Sequence, residues 1–143
     1  MSEHISVLVI DDDRMIRELL QTILSKKGYK TYMAEDGPSG LRTACEADID
    51  IILLDWMMPG MNGLEVLKRL KKEYKTKNVP VIMLTGKDSR CDVDQAAFLG
   101  VVDYIVKPFN LSTIAQTIEE KLEKTTEAKT KKSYFAGIFS KGS

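Results

Sequence analysis

Five short apolar runs recur along the chain, each separated from the next by a segment long enough for a helix. They are ISVLVI (5–10), KTYMA (30–34), DIDIILLD (48–55), VPVIMLT (79–85) and DYIVKPF (103–109). Most are continuous and rich in β-branched residues, the pattern of strands covered on both faces. The intervening segments have helical spacing. Residues 14–27 put Ile16, Leu19, Leu20, Ile23 and Leu24 on one face, and Gly28 closes that helix. A turn at DGP precedes a helix from about 38 to 47, and Gly63 opens LEVLKRLKKEY with Leu64, Leu67 and Leu70 in register. Residues 89–99 read as a helix ended by Gly100. After Asn110, an N-cap, Leu111, Ile114, Ala115, Ile118 and Leu122 fall at i, i+3, i+4, i+7 and i+11. Strands that need both faces covered, alternating with helices, predict a three-layer α/β sandwich around a five-stranded parallel sheet. Right-handed crossovers then limit how the units can be wound.

Composition narrows the function. At 143 residues and 43% apolar, the chain suits one domain with one core. Lys+Arg and Asp+Glu both number 21, which argues against a surface that is one continuous nucleic-acid footprint. Cys45 and Cys91 make no disulfide framework and are expected to be small hydrophobes on helices. His4 is the only histidine, which excludes zinc spacing and any histidine-dependent triad. MSEHISVLVIDDD lacks the cleavage site of a signal peptide, and no run approaches the roughly 18 apolar residues of a membrane span. The expected location is the cytoplasm, with membrane contact not expected.

In an open parallel sheet, chemistry gathers outside the carboxyl ends of the strands. Those ends supply Asp11, Asp12 and Asp13, then Asp55, then Thr85, then Lys107. Any one alone is unremarkable: an acidic run caps helices, a threonine ends a strand, a lysine is solvated. Together they form a chemical set. Crowded carboxylates repel one another unless a cation intervenes, and hard oxygen ligands without imidazole or thiolate suit Mg²⁺. A lysine and a hydroxyl at the same rim can hold phosphoryl oxygens, and a carboxylate can itself become an aspartyl phosphate. This gives Asp55 a use at the end of an apolar run. A dinucleotide site is excluded because DDDR, not a glycine-rich turn, follows the first strand, and no GxxxxGK[ST] occurs.

The pattern resembles the receiver domain of bacterial two-component response regulators over residues 5–124, in a stand-alone, chemotaxis-regulator-like form. VLVIDDD matches the first strand and acidic pair, LLDWMMPGMNG the phosphoacceptor loop, VIMLTG the fourth strand with its switch hydroxyl, and DYIVKPF the lysine–proline strand. The resemblance implies a flavodoxin-like (βα)5 fold. It implies that Asp55 accepts a phosphoryl group from the histidine of a sensor kinase or phosphotransfer protein. It further implies that Asp11, Asp12, Asp55 and the backbone carbonyl of Met57 hold Mg²⁺, with Asp13 left to cap a helix. Thr85 would hydrogen-bond a phosphoryl oxygen, Lys107 would pair with it across a cis bond to Pro108, and Tyr104 would be the switch aromatic. Such a protein is a switch that catalyses only its own phosphoryl transfer and slow autodephosphorylation.

Several positions depart from the commonest family form. Gly86 follows Thr85, Val101–Val102 makes the loop before Asp103 more apolar, and Trp56 is expected to border the pocket. Met57 has no polar side chain to orient water, which predicts slow dephosphorylation. Residues 1–124 are read as the receiver and 125–143 as a basic tail. From Lys121 to Ser143 there are six lysines against two glutamates, together with YFAGIF. The tail is too short for helix-turn-helix output, so the expected output is protein–protein contact, including a phosphorylation-dependent homodimer, and not direct nucleic-acid binding. A phosphorelay intermediate and an idle pseudo-receiver are the alternatives.

Overall fold

The computed structural model describes residues 4–86, 93–107, 110 and 112–123. Strands β1 (Ser6–Ile10), β2 (Lys30–Ala34), β3 (Ile51–Asp55), β4 (Val81–Gly86) and β5 (Val101–Lys107) alternate with helices α1 (Arg14–Lys26), α2 (Gly37–Glu46), α3 (Gly63–Lys72) and α4 (Val93–Phe98). A fifth helix, α5, spans 112–123. All strand pairs are parallel, in the order β2-β1-β3-β4-β5.

Alternate residues of each central strand feed two separate cores. Leu8, Ile10, Ile52, Leu54, Val81 and Met83 pack with Ala44, Val66, Leu67, Leu70 and Ala96 beneath α2, α3 and α4. Val7, Val9, Ile51, Leu53, Ile82 and Leu84 pack with Leu20, Leu24, Ile114, Ile118 and Leu122 beneath α1 and α5. This two-sided burial explains why the central strands read as unbroken apolar runs. Edge strand β2 is less buried, from exposed Lys30 to buried Ala34.

The elements start and stop for local reasons. Asp13 caps α1 by accepting from the Met15 and Ile16 amides at 2.9 and 3.3 Å. Gly28, at φ +86°, turns the chain out of that helix. Asp36 caps α2 and Pro38 lies in its first turn, so DGP begins the helix and is not a turn ahead of it. Asn110 accepts from the Ser112 amide at 2.9 Å and so caps α5.

Other boundaries also move. Strand β4 begins at Val81, not Val79: the Val79 amide is engaged in a turn with Thr76 O at 3.0 Å, and Pro80 has no amide to give. Val101 and Val102 belong to β5, not to a loop, and a register irregularity between Val81 and Ile82 absorbs the extension. Leu19 is 39% exposed, so the apolar face of α1 is narrower than its spacing suggested. Cys45 lies on α2 but is exposed, not packed as a small hydrophobe. Cys91, the start of the 89–99 helix, Leu111, the Lys107–Pro108 bond and residues 124–143 lie outside, or extend beyond, the described residues.

Candidate phosphoryl-transfer site

Parallel register brings separate strand ends to one rim. Ile10 pairs with Leu54, so Asp11 lies level with Asp55, the last residue of β3. Asp55 pairs with Leu84, immediately before Thr85, and Gly86 pairs with Lys107. The order β2-β1-β3 makes the chain wind in opposite directions from β1 and β3, opening a crevice between their carboxyl ends.

The loop after Asp55 is built to hold it there. The Trp56 amide donates to Leu84 O and the Gly63 amide donates back to Trp56 O, both at 2.9 Å. A Cβ at Gly63 would lie 2.5 Å from Asp55 O and 2.8 Å from Trp56 Cα, so only glycine lets α3 begin against this backbone. Asn62 then caps α3 through the Glu65 amide at 3.0 Å. The Met57 amide donates to Asp55 Oδ1 at 3.3 Å, whereas the Met57 side chain is largely exposed.

Asp11 is fully buried and Asp55 is 4% exposed; Asp12 faces solvent. One oxygen from each carboxylate lies within 4.8 Å of the others. The Lys107 Nζ donates to Asp11 Oδ2 at 2.7 Å and lies 3.3 Å from Asp55 Oδ1. Burial, then the charge of Asp11, pushes the Asp55 carboxyl up to about 7; Lys107 opposes this, and a hydrogen bond with Asp12 adds to it. For Lys107, burial alone would lower the value, but Asp11 and Asp55 together outweigh it and hold the ammonium above the ordinary lysine value. One ammonium therefore serves a buried carboxylate pair that still resists full ionisation. An all-oxygen donor set with surplus negative charge fits a hard divalent cation.

Asp11, Asp12, Asp55 and Lys107 are thus brought together, and Thr85 is buried on the neighbouring strand end. Tyr104 is half-buried on β5, against the core beneath α2, α3 and α4. Trp56 is buried in that same core. Two contributors were not legible as such in the residue pattern. Gly63 was expected only to open α3, although the strand–PGMNG–helix order hinted at a close approach. Arg17, whose Nη1 donates to Asp11 O at 2.8 Å, looked like any helical arginine.

The family model for the response regulator receiver domain matches residues 7–119. The chain belongs to that family. Receivers are phosphorylation-dependent signalling switches of two-component systems, not enzymes acting on an external substrate, and they work with histidine kinases or phosphotransfer proteins. This receiver is 35% identical over 128 residues to chemotaxis protein CheY-3 of Vibrio cholerae, covering 89% of this chain and 95% of that protein. The structure of Vibrio cholerae CheY4 aligns with a TM-score of 0.78 at 32% identity, covering 82% of this receiver and 98% of that chain. The receiver domain of a Pseudomonas aeruginosa sensor histidine kinase has the same fold, with a TM-score of 0.76 at 22% identity over 85% and 99% of the two chains. That protein has a magnesium ion coordinated in its active-site cleft. No described helix of the present receiver is long and apolar enough to cross a membrane.

Proposed function

We propose that Asp55 is the phosphoacceptor of this receiver and that its partner is a histidine kinase or histidine phosphotransfer protein. The supporting observation is the Lys107 ammonium, which lies between Asp11 Oδ2 and Asp55 Oδ1 at 2.7 and 3.3 Å. An oxygen of Asp55 forms the new O–P bond as the N–P bond to the donor imidazole breaks, and the imidazole keeps the electron pair. Lys107 and the Thr85 hydroxyl donate to the phosphoryl oxygens, replacing water in a partly closed site. Asp11, Asp12 and Asp55, with the Met57 carbonyl, would hold Mg²⁺. When bound, the ion offsets the charge of the carboxylates and the phosphoryl group.

Engaging Thr85 draws on the end of β4, and Tyr104 repacks against it. The surface around α4, β5 and α5 is thereby biased toward a form already accessible without phosphate. Output is protein–protein contact, in the cytoplasm, with dimerisation of the phosphorylated form as one route. Residues 1–124 carry this chemistry. Autodephosphorylation is slow, because Met57 offers no polar side chain to orient water.

The test is intact-protein mass after incubation with acetyl phosphate, with and without Mg²⁺, beside Asp55→Ala. One Mg²⁺-dependent phosphoryl adduct, absent from the variant, is the expected result. An adduct that survives the substitution rejects Asp55 as nucleophile. No adduct from either acetyl phosphate or a histidine kinase supports the pseudo-receiver instead.

A further inference from the structure

Each polar group of buried Asp11 has a partner. Its amide donates to Ala34 O at 3.1 Å, Oδ1 accepts from the Asp13 amide at 2.9 Å, and Oδ2 accepts from Lys107 at 2.7 Å. Its carbonyl lies ahead of α1, out of reach of the helix's own ladder, and accepts from Arg17 Nη1 at 2.8 Å. The Arg17 backbone amide meanwhile donates to Asp13 O at 3.0 Å. The guanidinium therefore holds the peptide that enters Asp12, the exposed member of the carboxylate cluster, while the first backbone bond of α1 holds the Asp13 carbonyl that follows it.

We infer that Arg17 is the positioning residue of the site, its guanidinium fixing the Asp11 carbonyl and so the peptide that enters Asp12, so that the Asp12 carboxylate stands beside those of Asp11 and Asp55. The inference rests on reading the cluster as the Mg²⁺ site of the phosphoacceptor. Residues that orient metal ligands from outside the coordination sphere influence affinity strongly. Arg17 is also a cation beside a cation site, so its charge and its geometry act in opposite directions. Removing the charge alone should tighten Mg²⁺ binding, whereas losing the grip on the loop should weaken it. Arg17→Lys keeps the charge and loses the guanidinium that reaches the Asp11 carbonyl; Arg17→Met loses both.

The experiment titrates wild type, both variants and Arg14→Met with Mg²⁺ alone, by calorimetry and by the fluorescence of Trp56, the only tryptophan. Arg14 is an exposed control paired with Glu18. Urea unfolding in chelator and phosphorylation by acetyl phosphate at low and saturating Mg²⁺ accompany the titrations. Both Arg17 variants are expected to need about tenfold more Mg²⁺. Their metal-free unfolding midpoints should stay near wild type, and phosphorylation should recover at saturating Mg²⁺. Wild-type affinity in Arg17→Lys, or equal or tighter binding in Arg17→Met, overturns the positioning role. A rate deficit that persists at saturating Mg²⁺ also overturns it. If Arg17→Met does not fold, Arg17→Lys decides alone. Absence of any Mg²⁺ response in wild type overturns the site reading and this inference together; wild-type saturation with unchanged variants overturns only the role of Arg17.

Discussion

The two edges of the sheet treat buried polar groups differently. At the amino edge, the Ser6 amide donates to Asp50 Oδ2 at 2.8 Å and the buried Thr76 hydroxyl donates to Leu70 O at 2.6 Å. Lys71 Nζ donates to the Lys77 and Val79 carbonyls, both at 3.2 Å, closing the turn between α3 and β4. Each group there has a matched partner. At the carboxyl edge, three carboxylates converge and Lys107 contacts two of them. The amino edge has the economy of a structural end, where polar groups are buried only when satisfied. The carboxyl edge retains a conflict that a cation and a phosphoryl group resolve, and local conflict of this kind marks a functional site.

The contrast can be broken most forcefully at Lys107. Lys107→Met should lower the initial rate of phosphorylation by acetyl phosphate by on the order of 100-fold, because an aligned donor to the transferring group is lost. A rate within threefold or so of wild type would remove the ammonium from the chemistry.

Next in size is the effect of ionising Asp55. Its carboxyl titrates at about 7 in the fold against an ordinary value of 3.8. Between those values the folded state holds more proton than the unfolded chain, so stability falls as pH rises through this window. In chelator at pH 8, Asp55→Asn should therefore be more stable than wild type by on the order of 2 kcal/mol, after allowance for the lost ion pair with Lys107. The gain should vanish near pH 4, as read from urea midpoints. Equal gains at both pH values would show that charge is not the cause.

Thr76→Val probes the opposite edge. It should cost about 1–2 kcal/mol by leaving the Leu70 carbonyl unpaired, yet leave Mg²⁺ affinity unchanged. A change in both would mean that the edges are coupled. Met57→Asn should shorten the lifetime of the phosphorylated form roughly threefold, the worth of one modest hydrogen bond to water. An unchanged decay rate removes that explanation. Smallest of all, Lys75→Ala removes an exposed pair with Asp48 and an exposed hydrogen bond to the Cys45 carbonyl, and should move stability by less than about 0.5 kcal/mol in thermal unfolding.

Much of the carboxyl edge was legible because its residues follow apolar runs, and a charge at the end of a buried strand has few structural uses. Asp11, Asp55, Thr85 and Lys107 all fall at such points. Leu19 falls on the apolar face by spacing yet lies exposed, because helical spacing gives the direction of a face but not the width that the neighbouring sheet covers. Trp56 was expected to border the pocket; one residue beyond Asp55, it is buried with the core layer under α2 and α3. Arg17 was invisible because its significance lies in which carbonyl it reaches, and arginine spacing carries no record of that.

The sequence alone determined the alternation of strand and helix, the parallel sheet and the residue types available at its rim, all of which follow from hydrophobic period and local caps. Only the tertiary structure decided the strand order, the 4.8 Å convergence of three carboxylates and the place of Lys107 between two of them. Asp11 and Lys107 are 96 residues apart along the chain. Their approach depends on how every intervening unit packs and registers, so no local pattern encodes it.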